Sequence, residues 1–180
     1  MFELFSKEFS QKIWAKQAAE LSISNIPFHE RDVLDALRQY VLHPRKLLAL
    51  NSKSEVVTVI NGVRTPHPLA NFLILDTDKT IEEYTARIDP YAEGKEWAVM
   101  YYGLYAATPI LWDAAKQFAD QLAHSLGFRP GGRVDIDCFI GRYSSTHVGI
   151  HMDHAHNFSF LSKMAKQRLH GPAHEKTVKG

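Results

Sequence analysis

His151 and Asp153 stand two residues apart in the run Gly149-Ile150-His151-Met152-Asp153-His154-Ala155-His156-Asn157-Phe158-Ser159-Phe160. On an extended chain, residues i and i+2 project from the same face, so an imidazole and a carboxylate converge on one point. A neutral ring nitrogen and an anionic oxygen together suit a divalent transition metal. With one more imidazole they make the facial triad of non-haem Fe(II) sites, which leaves coordination positions open for substrates. Asn157 has the same parity and is expected to look inward if the strand carries no bulge. Phe158 and Phe160 have the opposite parity and are expected to face the covered back of that strand.

Such a pair needs a sheet to hold it, and the chain supplies candidates in order. Residues 2–20 read as a helix, with Phe2, Phe5, Phe9 and Ile13 on one face. The stretch Leu21–Phe28 reads as a short strand ending at Pro27, and residues 30–41 as a second helix through Val33, Leu34, Leu37 and Tyr40. Lys46–Leu50, Val56–Ile60 and Asn71–Asp76 are strand candidates, the second ending at the turn dipeptide Asn61-Gly62. Thr80 to Ile88 reads as a helix capped by Thr80 with Glu83 three residues on, followed by a loop from Pro90 to Gly94. Trp97–Tyr102 is a buried strand by composition. Thr108-Pro109 opens the clearest helix, with Leu111, Ala115, Phe118 and Leu122 as its stripe and Gly127 as its stop. Val134–Ile140 reads as a strand, Gly141–Thr146 as a polar connection, and Val148 begins the strand that carries His151.

Composition bounds the rest. The 180 residues allow one domain with a real core, at 45% apolar and 23% charged residues. A net charge of +1 gives no general drive toward nucleic acid or an anionic membrane. The lone cysteine, Cys138, excludes an internal disulfide, fits a reducing cytoplasm and reads as inert. No apolar run is long enough to span a bilayer, and the start of the chain does not read as a secretory signal. Of ten histidines, six lie between His147 and His174. His154 and His156 share the parity opposite to His151 and are expected outward or behind the ligands, and the like-faced Asp135 and Asp137 are expected on a solvated face.

At His151-Met152-Asp153, Asn157-Phe158 and Lys166 the chain resembles the JmjC and cupin-like family of Fe(II)- and 2-oxoglutarate-dependent oxygenases, closest to its small bacterial and protein-hydroxylase branch. Members carry a Gly- or Pro-containing approach, then His-x-Asp, an Asn-Phe pair, and a basic residue on the next strand. Here the approach is Ser144–Gly149, and the likeness covers roughly residues 97–166. It implies a single α+β domain. A mixed helix and strand region over 1–95 would pack on a cupin-type double-stranded β-helix, or jelly roll, over 96–166, with a tail over 167–180.

The resemblance also implies the chemistry. Fe(II) would be held by His151, Asp153 and a distal imidazole, and the cosubstrate 2-oxoglutarate would pair its distal carboxylate with Lys166. Asn157 would sit beside the cosubstrate or support the metal. Where many relatives have Thr three residues before the first ligand this chain has Val148, and Thr146 is the hydroxyl taken as a cosubstrate contact. The reaction implied is hydroxylation of an unactivated C–H bond in a protein, peptide or small molecule, with 2-oxoglutarate oxidised to succinate.

The family's third ligand lies on a later strand, and only fourteen residues follow Lys166, among them His170 and His174. From Trp97 onward 84 residues remain, one long helix included, against the roughly 80 or more that an eight-stranded jelly roll alone requires. The barrel is therefore expected to be incomplete, as in a C-terminally truncated chain, with exposed strand edges that favour a homodimer. A truncated, non-catalytic cupin-like domain that binds a partner is the alternative class, and a metal-dependent cupin without 2-oxoglutarate is a third.

Overall fold

Trp97–Tyr102 is an unbroken apolar run, the pattern of a strand covered on both faces, and it forms the centre of the structure. The computed structural model describes residues 2–22, 28–144 and 156–160. In chain order its elements are β1 (Phe2–Glu3), β2 (Leu21–Ser22), α1 (Glu30–Leu42), α2 (Pro44–Leu50), β3 (Glu55–Ile60), β4 (Val63–Arg64), α3 (Ile81–Ala92), β5 (Trp97–Tyr102), α4 (Pro109–Leu126) and β6 (Cys138–Arg142). β1 and β2 make a short parallel pair, and the other four strands form an antiparallel sheet in the order β4-β3-β5-β6. The architecture is α+β, as expected. No described helix is long and apolar enough to cross a membrane.

Side chains alternate across β5. Trp97, Val99 and Tyr101 turn to one face and Ala98 and Met100 to the other, and all five are at most 1% exposed. The first face packs with Leu34, Leu37 and Tyr40 of α1, Tyr84 and Ile88 of α3, and Leu111 of α4. Phe72 meets Trp97 edge-on at 5.8 Å, and Tyr40 meets Tyr101 edge-on at 5.7 Å. The second face joins Ala98 and Met100 to Val57 and Val59 of β3, with Tyr102 against them. Burial of each such large side chain is worth roughly 1.5–3 kcal/mol. β6 can close on β5 because Gly141 has no side chain: a Cβ there would lie 2.2 Å from the Trp97 carbonyl oxygen.

Local chemistry sets the element ends. Asn61 and Gly62 both take positive φ, +52° and +74°, as the primed turn of a two-residue hairpin requires. The Glu83 N–H donates to Thr80 Oγ1 at the start of α3, and the Leu111 N–H donates to Thr108 Oγ1 at the start of α4. Gly127 ends α4 in the left-handed conformation, φ +76°. α3 runs on through Pro90 to Ala92 rather than stopping at Ile88, so the expected Pro90 loop begins later.

Four expectations are corrected. Residues 2–20 are not one helix: only residues 7–13 are wound, widening at Phe9–Ile13, bracketed by positive φ at Phe5 and Ala15. Lys46–Leu50 belongs to a helix. Pro44 opens it, its Lys, Leu and Ala residues are all good helix formers, and only Leu47 reaches the core. Val134–Ile140 is strand only from Cys138, and β6 extends through Gly141 and Arg142 into the expected connection. Upstream of it, the Leu104 N–H donates to the Ile136 carbonyl (2.7 Å) and the Gly103 N–H to Asp137 Oδ1 (2.8 Å), so these residues tie down a turn instead of a ladder.

The fourth correction is Asn71–Asp76, which is not a strand but a single 3-10 turn, Ala70–Phe72, followed by irregular chain. Its carbonyls find a side chain instead of a neighbouring strand. Arg87 donates to the Asn71 and Leu73 carbonyls at 2.9 and 2.7 Å, and Tyr84 Oη donates to the Phe72 carbonyl at 2.6 Å. Arg87 also grips Asp78, with Nε and Nη2 each 2.8 Å from a carboxylate oxygen. Asp78 is 3% exposed and accepts the Leu75 N–H as well, while Arg38 donates to the Asp78 carbonyl. Burial alone would raise the Asp78 pKa, but the bonds from Arg87 and the Leu75 N–H outweigh it and hold the carboxyl below its ordinary value.

Removing one partner leaves the other charge buried and unpaired. Asp78→Ala is therefore expected to cost about 3–5 kcal/mol of stability at neutral pH, read by urea denaturation. Because the folded pKa is lowered, the pair's contribution is fully present above the unfolded value of about 4 and is lost as pH falls through the folded value. Wild-type stability should decline on acidification below about pH 4, and the decline should be shallower in Asp78→Ala. Gly103 has φ +71°, and a Cβ there would lie 2.5 Å from Asn51 Nδ2. Gly103→Ala should cost about 1–3 kcal/mol in the same assay.

Candidate metal centre

Of the residues singled out for chemistry, His151, Asp153, Thr146 and Lys166 lie outside the described residues, as do Val148, His154, His170 and His174. Asn157 is described, together with the neighbours that flank it. The structure thus gives the frame on either side of the His151–Asp153 run.

The upstream side is the end of β6. Arg142 lies opposite Trp97 in the β5–β6 ladder. Its Nε donates to both oxygens of Asp89 on α3, at 2.8 and 2.7 Å. Asp89 Oδ1 also accepts from the Trp97 indole N–H at 3.0 Å. One carboxylate therefore joins α3, the start of β5 and the end of β6. The Ser144 N–H donates to Glu96 Oε1 at 3.2 Å, which holds the chain beside β5 just past the strand. These groups border an open cleft of about 300 Å³ lined by Asp89, Lys95, Glu96, Trp97 and Arg142. Asp89, Glu96 and Arg142 carry no local signal in the sequence, because Asp89 pairs with Arg142 53 positions away and Glu96 meets Ser144 48 positions away.

The downstream side is residues 156–160. They are irregular chain, so the expected strand does not extend through them. The His156 ring lies 4.1 Å from Trp14, tilted by 38°. Phe158 sits among Phe118 at 5.0 Å, Phe9 at 6.3 Å and Trp14 at 6.3 Å, nearly parallel to the last. Phe160 meets Phe28 at 5.8 Å and Phe118 at 6.0 Å. Phe158 is half-buried among these rings, whereas Phe160 touches them but is 39% exposed, so the covered strand back expected for both is not formed. The rings make an aromatic bed built from the N-terminal segment, Phe28 and α4.

The other candidates resolve as structural groups. Asp135 pairs with Arg133 at 2.6 Å and accepts from Asn51 Nδ2 at 3.3 Å, and Asp137 holds the Gly103 turn. Both remain exposed, as expected of a solvated face, and each also makes a polar contact. Desolvation against that turn leaves the Asp137 carboxyl above its ordinary value, despite the bond from the Gly103 N–H. Burial pushes the Cys138 thiol up to about 12, with the Asp137 charge adding, so it stays protonated and unreactive as expected. The hydroxyls of Tyr84 and Tyr101 lie 3.0 Å apart in the core, and burial raises both above the ordinary phenol value.

Among the described residues no group of three or more His, Cys, Asp or Glu side chains converges to hold a metal ion. Comparison of the chain with family models, with curated proteins and with solved structures finds no match in any of the three.

Proposed function

We propose that this chain is an Fe(II)- and 2-oxoglutarate-dependent oxygenase of the JmjC and cupin-like kind, hydroxylating a protein or peptide side chain or a small molecule. The observation that carries the reading is the spacing His151-x-Asp153 followed by Asn157-Phe158 and Lys166. The donor chemistry fits the metal, since one neutral imidazole and one carboxylate are two-thirds of a facial triad. The fold is compatible with it. A central antiparallel sheet carries helices on one face and a second apolar face made by Val57, Val59, Ala98 and Met100, and a jelly roll places its second sheet on such a face. The packing of Phe158 and Phe160 against an aromatic bed also suits a segment whose odd-numbered residues serve a site.

In this reading His151 and Asp153 hold the iron and leave positions open for cosubstrate. Lys166 neutralises and orients the distal carboxylate of 2-oxoglutarate. Asn157 and Thr146 donate hydrogen bonds beside it. When bound, the metal and 2-oxoglutarate together supply the activation of dioxygen, and the cosubstrate leaves as succinate and carbon dioxide. The protein's part is orientation and exclusion of water.

Anaerobic titration of Fe(II) into the full chain, with and without 2-oxoglutarate, tests this through the weak visible charge-transfer band of the chelate. A stoichiometric band is expected, absent in His151→Ala. In Lys166→Ala the affinity for 2-oxoglutarate should fall by about 30-fold or more, equivalent to about 2 kcal/mol. Tight metal binding without the band would replace this reading with a cupin that does not use 2-oxoglutarate. Absence of metal binding would replace it with a non-catalytic interaction module.

A further inference from the structure

We propose that α2 and the residues flanking it form a peripheral docking surface for an anionic lipid bilayer. The inference stands apart from the metal-site reading above. It concerns contact with the face of a membrane and not a span across one.

The first ground is how little of this helix the core uses. Leu47 is 2% exposed and is the one residue of α2 that is buried. Leu42, Leu48 and Leu50 are 60%, 49% and 55% exposed, although all three lie within nine residues. Single apolar side chains scattered over a surface are ordinary, but three leucines around one short helix are a cluster. At about 100° per residue, Leu48 and Leu50 fall on the two flanks of the outward face, with Arg45, Lys46 and Ala49 between them. The helix thus stands out as a convex ridge. Its base is firm: the Asn51 N–H donates to the Leu47 carbonyl at 2.8 Å and the Ser54 N–H to the Asn51 carbonyl at 2.9 Å, with Asn51 and Ser54 both buried. A ridge offers no groove to a folded partner, whereas the headgroup layer of a bilayer yields around it. Because the ridge is already ordered, docking it costs little conformational freedom.

The second ground is charge. Residues 36–54 contain no Asp or Glu, but they contain Arg38, Arg45, Lys46 and Lys53. Arg38 is bound to Asp35 and to the Asp78 carbonyl. Arg45, Lys46 and Lys53 are exposed and have no ion-pair partner among the described residues. Glu55, which follows the run, is paired with Arg64, and Asp135, which touches Asn51, is paired with Arg133 at 2.6 Å. The cations on the ridge therefore remain uncompensated, and the whole-chain net charge of +1 conceals a local positive patch. Anionic headgroups complement that patch. Cations mixed with leucines on one short helix make an interfacial anchor, in which the charges attract and the apolar groups hold. A purely electrostatic partner such as a nucleic acid would leave the three leucines without a role.

The test is flotation of the full chain with vesicles of phosphatidylcholine alone and of phosphatidylcholine with about one-third phosphatidylserine. The wild type should float with the anionic vesicles and not with phosphatidylcholine, and less as salt rises from about 0.1 M to about 0.5 M. Arg45→Gln with Lys46→Gln should lower the partition about 25-fold, at about fivefold for each cation near a charged surface. Leu48→Ser with Leu50→Ser, which keeps every charge, should lower it about 10-fold. All four positions are exposed, so both variants should keep the wild-type urea midpoint. Lys95→Gln removes a cation at the other end of β5 that is already paired with Glu93, and it should float as the wild type does. If the wild type does not float with anionic vesicles, or floats equally with phosphatidylcholine, the proposal is overturned. If Lys95→Gln weakens flotation as much as the α2 charge variant, total charge and not the ridge is responsible, and the proposal is overturned. If only the charge variant loses flotation, the leucines do not insert, and the patch is a site for soluble polyanions in place of a bilayer anchor. If the wild type sediments as a dimer that the leucine variant dissociates, the ridge is an interface between copies and bilayer docking is overturned.

Discussion

Every side chain from Trp97 to Tyr101 is excluded from water, and the rest of the molecule follows from that constraint. A strand buried on both faces needs a paired neighbour along each edge and an apolar layer above and below. β3 and β6 supply the edges in full register, and the missing side chain at Gly141 lets β6 approach. α1, α3 and α4 supply one layer. On the other face, Ala98 and Met100 lie beside their cross-strand partners Val59 and Val57, and all four are at most 3% exposed. The sheet's two-sided character is thus set by six consecutive residues with no polar interruption.

Covering that sheet brings irregular chain into the interior, where its backbone polar groups still need partners. The stretch around Phe72 solves this with one arginine. The guanidinium of Arg87 satisfies two carbonyls and one buried carboxylate, and lies over the Tyr84 ring at 5.5 Å. A ladder would have done the same work with another strand. The arginine allows the chain to fold tightly against Trp97, where a strand would have widened the sheet.

These differences mark where sequence reasoning reaches and where it stops. The elements read correctly carry local signals: Thr80 with Glu83, Thr108-Pro109 with Gly127, Asn61-Gly62, and the apolar run at Trp97. The stretches misread depend on partners far along the chain. Asn71–Asp76 has strand composition, but Arg87 takes its carbonyls. Val134–Asp137 alternates like a strand, but Gly103 and Leu104 take its acceptors. Lys46–Leu50 was legible and was misread, because Pro44 announces a helix and none of its residues is β-branched. For the candidate site, spacing and parity alone pointed to His151 and Asp153. The Trp14 contact has no local trace, since it joins residues at opposite ends of the sequence.

The aromatic bed also fixes an order of events during synthesis. Phe9 is made 109 residues before Phe118, and Phe158 follows later still. At roughly 5–20 residues per second, the N-terminal rings wait on the order of 5–20 s for the first of these partners. Until then Phe9 and Ile13, which are at most 4% exposed once folded, have only short-range neighbours to cover them. The contact that completes the bed closes a loop of most of the chain, the slowest kind of contact to form. The N-terminal segment is therefore expected to dock last, onto a sheet and α4 already in place, and it is the part of the nascent chain most dependent on protection from aggregation.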